Sequence, residues 1–96
     1  MSEPSPNVQV RLVVRGRVQG VNFRWTLKRE AEARGVQGWV RNCADGSVEA
    51  VLQGDGDGVR SVVEWARRGP RGAWVTSADA AREECVAPLS GFEIRV

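Results

Sequence analysis

The spacing of apolar residues changes early in this chain, and that change restricts the folds open to it. Val8, Val10, Leu12 and Val14 alternate with Gln9, Arg11 and Arg15, with Val13 as the exception. A period of two places the apolar set on one face of a strand, Val8 to Arg15. From Phe23 the interval becomes four. Phe23, Leu27 and Ala31 make one stripe of a helix running to Arg34. Between the two periods lies Gly16-Arg17-Val18-Gln19-Gly20-Val21-Asn22-Phe23-Arg24, a strand-to-helix loop with an arginine on the first helical turn. Glycine lets a backbone turn sharply and approach a ligand closely. The first N–H groups of a helix lack partners and carry partial positive charge. Successive loop N–H groups can form an anion cradle, and Arg24 adds a planar fork of donors suited to phosphate oxygens. The stretch suits a small dianion, although a tight turn followed by a solvated arginine has the same pattern. It lacks both the Lys-Ser/Thr of a nucleotide-binding P-loop and the G-x-G-x-x-G spacing.

The remaining elements follow from similar signals. Asn22 is a favoured N-cap residue for the helix beginning at Phe23. Glu30 and Arg34 are spaced to pair on its surface, and Gly35 ends it. Val36 to Cys43 and Ser47 to Gln53 read as strands joined by a hairpin turn at Ala44-Asp45-Gly46, which puts Asn42 beside the turn. Gly54-Asp55-Gly56-Asp57-Gly58 reads as a loop whose aspartates can cap a second helix. Val59, Val62, Val63 and Ala66 form its stripe and Gly69-Pro70 stops it. Trp74 to Glu83 reads as a strand whose alternation is blurred by alanines. Phe92, Ile94 and Val96 alternate in a short last strand. The resulting order is β-α-β-β-α-β plus a short C-terminal strand. It predicts an α+β fold of the split β-α-β type, with two helices on one face of a mostly antiparallel sheet. The order of strands across the sheet does not follow from the pattern. The polar segment 1–7 reads as a loose tail and 8–96 as a single domain.

Composition removes several classes of chemistry. The chain has no histidine, which excludes Ser-His-Asp catalysis, a histidine nucleophile and histidine metal ligands. Cys43 and Cys85 belong to no C-x-x-C pair. With no export signal to read, free thiols in the cytoplasm are the expectation. No run is long and apolar enough to suggest a membrane span. Formal net charge is +2, with one lysine against thirteen arginines. That balance helps attract an anionic substrate but is weaker than a dedicated nucleic-acid binder requires.

A second stretch strengthens the reading of the first. Gly38-Trp39-Val40-Arg41-Asn42-Cys43-Ala44-Asp45-Gly46-Ser47-Val48-Glu49, taken with Gly16 to Arg24, resembles the acylphosphatase family in order and spacing. Leu52-Gln53-Gly54, Trp65, Gly69-Pro70 and Phe92 match more weakly, and the resemblance covers residues 8–96. It implies a ferredoxin-like fold and hydrolysis of acyl phosphates without metal or organic cofactor, by a monomer that binds neither nucleic acid nor membrane. It further implies that Gly16, Arg17, Val18, Gln19, Gly20, Val21 and Arg24 hold the substrate's phosphate, and that Asn42 orients the attacking water. The chemistry is compatible with a histidine-free chain. The leaving group is a carboxylate with a pKa of about 4, which departs without a strong general acid.

Other readings of single residues remain. Arg24 can be a solvated helix arginine, and Asn42 a turn residue held by local hydrogen bonds. Trp25 and Trp39 can wall a site or belong to the core. Cys43 reads as a small buried filler facing away from Asn42. The arginines at 60, 67, 68 and 71 read as a solvated face of the second helix and its exit. At the level of function, carbamoyl phosphate is an alternative substrate. Larger hydrogenase-maturation proteins carry a similar domain, and a chain ending at Val96 is expected to lack their remainder. A catalytically weak or non-enzymatic interaction domain is a further alternative. An RNA-binding sheet is another, but it calls for stacking aromatics on its central strands, and Val8 to Arg15 and Ser47 to Gln53 have none. With no histidine and scattered acidic residues, hydrolysis of benzoyl phosphate is expected to persist after exhaustive chelation with EDTA. Loss of activity restored only by an added divalent metal would contradict the metal-free expectation.

Overall fold

The computed structural model describes residues 7–85 and 87–96. The expected tail, 1–7, lies outside the described residues except for Asn7, which begins the first strand. In chain order the elements are β1 (Asn7–Arg17), α1 (Phe23–Ala33), β2 (Gln37–Asn42), β3 (Val48–Asp55), α2 (Gly56–Ala66), β4 (Trp74–Glu83) and β5 (Phe92–Arg95). The five strands form one sheet in the order β4-β1-β3-β2-β5. Its pairings are antiparallel except that β5 runs parallel to β2.

The two apolar stripes become one core. Phe23, Leu27 and Ala31 of α1 and Val59, Val62, Val63 and Ala66 of α2 are buried against the alternate residues Leu12, Val14, Val40, Val48, Ala50 and Leu52 of the central strands. Burying each Leu or Val contributes about 1.5–3 kcal/mol against the entropy of ordering the chain. Phe23 also meets Trp65 of α2 with ring centroids 5.4 Å apart and planes tilted by 54°. Beyond Ala33, the Gly35 N–H donates to Glu32 and the Val36 N–H to Ala31. These two bonds satisfy carbonyls left open at the helix end. The expected Glu30–Arg34 pair forms on the surface.

The helix starts where its sequence predicts, but the cap works differently. Asn22 sits in the left-handed region (φ 62°) with no side-chain capping bond. Its carbonyl instead accepts from the Thr26 N–H (3.0 Å) and the Thr26 hydroxyl (2.8 Å). Asparagine tolerates this conformation better than most residues. Asp55 does cap α2, accepting from the Gly58 N–H, so that Gly56–Gly58 lie inside the helix and not in a loop. The alternation of β4 is blurred because it is an edge strand: Val75 and Ala78 pack on the core while most of its residues face solvent. In β5 only Phe92 of the expected apolar set is buried.

The opposite sheet face is polar and cross-linked. By alternation with buried Val40, Trp39 points to this side, where Arg95 lies 4.6 Å, Arg11 5.8 Å and Arg41 5.9 Å from its ring centroid. Trp39 therefore neither walls the recess described below nor joins the main core. Glu49 accepts from Arg11 and Arg41, each at 2.7 Å. Burial opposes its ionisation, but the bonds from Arg41 and Arg11 outweigh burial and hold the carboxyl below its ordinary 4.5. A depressed carboxyl stabilises the fold above its unfolded pKa, and that contribution is lost as pH falls through the folded value. Glu49→Gln should cost about 1 kcal/mol at neutral pH, since both arginines are open to solvent. Melting curves from pH 7 to pH 3 should show the gap to wild type narrowing in the acid range below 4.5. A gap independent of pH would rule out this contribution.

Candidate active site

A recess of about 250 Å³ opens where the N-terminus of α1 meets the end of β2. Val18, Gly20, Arg24 and Asn42 line it, together with Asn22, Phe23, Trp25 and Ile94. Two residues from one sequence stretch and one from the other explain the meeting. Arg24 follows Phe23, which is buried at the start of α1. Asn42 shares the helix-facing side of β2 with Val40 and lies in register with Val48, itself opposite Val14. Asn42 therefore continues a core row to its edge, directly beneath the loop.

The loop presents free backbone donors. Gly20 and Asn22 have positive φ angles of 77° and 62°, an alternation of the kind that turns successive N–H groups toward one side. Among the described residues, no turn or cap hydrogen bond uses the N–H groups of Gln19, Gly20, Val21 or Asn22. They adjoin the positive end of α1. Arg24 Nη1 donates to the Arg95 carbonyl at 3.2 Å. Among the described residues Arg24 forms no ion pair with a carboxylate. Its charge is therefore uncompensated, and a guanidinium with one carbonyl contact retains donors for a planar oxyanion.

Not every residue expected in the cradle lines the recess. Gly16 and Arg17 are the last residues of β1 and pair with Val75 and Trp74 of β4 beyond a register shift at Arg15/Gly16. Gly16 has φ 123°, and a Cβ there would collide with the Trp74 carbonyl and sit 2.8 Å from the Thr76 nitrogen. This glycine is required by strand packing. Val21 packs against the core. Cys43 is a partly buried free thiol and Cys85 an exposed one. Among the described residues no group of three or more Cys, Asp or Glu side chains is gathered to hold a metal ion, and no helix is long and apolar enough to cross a membrane.

The Gln19 side chain, the Arg95 carbonyl and Ile94 contribute in ways that no sequence pattern marks. The Gln19 side chain donates to the Cys43 and Ser47 carbonyls at 2.8 and 2.9 Å, clamping the loop to the β2–β3 hairpin that carries Asn42. The hairpin is itself braced by Asp45, which accepts from the Ser47 hydroxyl and N–H. The hydroxyl first, then the N–H, holds the Asp45 carboxyl below its ordinary value. Arg95 supplies a carbonyl from 71 residues away, and Ile94 reaches the recess from β5. The Asp45–Ser47 bonds are local, but the contacts of Gln19, Arg95 and Ile94 depend on strand order. Gln19→Ala removes two hydrogen bonds, for an expected loss of about 1–2 kcal/mol in denaturant melts. Loosening the loop from Asn42 should lower turnover of benzoyl phosphate by about tenfold or more in the folded variant. Unchanged turnover would show that the clamp does not set the geometry.

Several known proteins resemble this chain along nearly its whole length. The acylphosphatase family profile matches residues 10–94. An acylphosphatase of Thermococcus kodakarensis is 48% identical over 87 residues, spanning 91% of this chain and 94% of that protein. One from Thiobacillus denitrificans is 52% identical over 84 residues, spanning 88% and 92%. The crystal structure of acylphosphatase from Bacillus subtilis superposes with a TM-score of 0.89 at 35% identity, covering 93% of this chain and 99% of that one. With the profile covering nearly the whole chain and relatives near half identity along it, this protein belongs to the acylphosphatase family.

Proposed function

We infer that this protein hydrolyses acyl phosphates. The Gly16–Arg24 stretch holds the phosphoryl group through the loop N–H groups and the Arg24 guanidinium, and Asn42 holds the attacking water. The observation that carries this reading is the meeting, in one recess, of an arginine without a carboxylate partner among the described residues, loop N–H groups that no turn or cap bond uses and a strand-end asparagine. Within the Gly16–Val21 cradle, Gln19, Gly20 and Val21 supply free donors, while Gly16 and Arg17 set the approach of the strand.

The chemistry asks for positioning more than for acid or base groups. The water oxygen forms a bond to phosphorus while the bond to the acyl oxygen breaks, and its electron pair leaves on the carboxylate. One proton of the water passes to an oxygen of the substrate's own phosphate and the other stays on the attacking oxygen, giving carboxylate and dihydrogen phosphate. Charge on the equatorial oxygens is met by fixed N–H dipoles and a guanidinium, the main requirement in phosphoryl transfer. The Asn42 carbonyl can accept from the water while its amide donates elsewhere. The same reading makes the enzyme a cytoplasmic monomer that needs no metal, in keeping with two free cysteines.

Two variants separate the roles. Arg24→Ala should cost about 3 kcal/mol or more of transition-state stabilisation and also weaken competitive inhibition by inorganic phosphate. Arg24→Lys should recover little, because an ammonium cannot make a two-pronged contact. Asn42→Ala should reduce kcat about a hundredfold or more while leaving phosphate inhibition nearly unchanged, as an interaction realised mainly in the transition state does. The measurement is steady-state hydrolysis of benzoyl phosphate with phosphate as inhibitor, on variants shown to be folded. Collapse of phosphate affinity in Asn42→Ala would make Asn42 a phosphate ligand or a support for the loop.

A further inference from the structure

Trp25, Trp74, Ile94 and Val96 are large apolar residues left exposed among the described residues, and two of them converge on the recess. Trp25 is 52% exposed and Ile94 38%. Neither is placed there to complete the core. The buried stripe of α1 is Phe23, Leu27 and Ala31, and Trp25 lies off it. β5 buries Phe92 at one end, and Ile94, opposite Val40, carries the same strand out to the recess. Val18 and Phe23, the other apolar residues lining the recess, are buried in the core, so Trp25 and Ile94 are its exposed apolar side chains, and leaving them in water forgoes burial that folding would otherwise favour.

The substrate supplies the missing partner. In an acyl phosphate the carbonyl carbon is joined to phosphorus through one bridging oxygen. An acyl group on a phosphate held by the loop and Arg24 must therefore leave across the wall of this recess. We propose that Trp25 and Ile94 form an apolar rim that receives the acyl group, so that the enzyme favours acyl phosphates bearing aromatic or extended aliphatic groups over acetyl phosphate. The inference rests on the acyl phosphate reading above and adds to it a substrate class and two specificity-determining residues. An aromatic acyl group can stack offset or edge-on against the indole, and each added methylene finds apolar surface that an acetyl group does not reach. The rim contributes nothing to the phosphate itself. Its effect should therefore appear in the ratio between substrates and not in phosphate inhibition.

The test compares kcat/KM for acetyl, butyryl, hexanoyl and benzoyl phosphate on wild type, Trp25→Ala, Trp25→Phe and Ile94→Ala, with inorganic phosphate inhibition measured on each. Wild type should favour benzoyl and hexanoyl over acetyl phosphate by about tenfold or more, equivalent to about 1.4 kcal/mol. Trp25→Ala should abolish most of that preference, Ile94→Ala part of it, and Trp25→Phe should keep it, with phosphate inhibition within about threefold of wild type throughout. No preference in wild type, or a preference that survives both alanine variants, overturns the rim while leaving acyl phosphate hydrolysis in place. A parallel loss on all four substrates together with lost phosphate inhibition would make Trp25 a support for Arg24 and also overturn it. Wild type that hydrolyses none of the four fails the acyl phosphate reading itself, and the rim with it.

Discussion

Burial of the α1 stripe against the sheet is the interaction on which the recess depends. Phe23 is at once the first residue of the helix and a core side chain, 2% exposed. A helix whose first turn is anchored this firmly cannot fray there, so the positive helix end and Arg24 keep a fixed place over the sheet. The same core fixes the other wall. Val40 and Val48 are buried, and antiparallel register then leaves Asn42 one position for its side chain. A slip of one residue would reverse every side chain of β2 and place Asn42 on the polar face. The site is thus defined between two ends of elements held by one set of apolar contacts.

Several arginines are held by carboxylates at the surface. On the open sheet face Arg11 and Arg41 share Glu49, and Arg95 pairs with Glu93 while stacking on Trp39. On the helix surface Arg34 meets Glu30. These charges are largely compensated where they sit. Arg24 has no carboxylate partner among the described residues, and its hydrogen-bond partner is a backbone carbonyl. That carbonyl orients the guanidinium without neutralising it. The charge remains available to an anion arriving beside free N–H groups. The loop is held by Gln19 through backbone carbonyls of the hairpin.

The strand-loop-helix junction was legible in the sequence because it is local. A period of two before Gly16 and a period of four after Phe23 require a change of direction between them, and Phe23, Leu27 and Ala31 are buried as that spacing dictates. The apolar stripe of α2, the hairpin at Ala44-Asp45-Gly46 and the end of α1 at Gly35 were legible for the same reason. Local rules misled where backbone and side chain compete for one role. Asn22 has the side chain of a cap, yet it enters the left-handed region and caps with its carbonyl. At Gly16 a further constraint comes from the sheet, since β4 passes so close that a side chain would strike its backbone.

By itself, the sequence determined the elements, their order and the residue types able to meet a phosphate: two periodicities, the paired motifs around Arg24 and Asn42, and an absence of histidine that excludes whole mechanisms. Tertiary structure decided which of those residues meet. Bringing Asn42 beside Gly20 and Arg24 requires β1 to pair with β3 and β3 with β2. Bringing Ile94 and the Arg95 carbonyl to the same place requires β5 to add, in parallel, to the far edge of β2. Such contacts join residues tens of positions apart. Their energy comes from the shared core and the sheet ladder, which no local window of sequence contains.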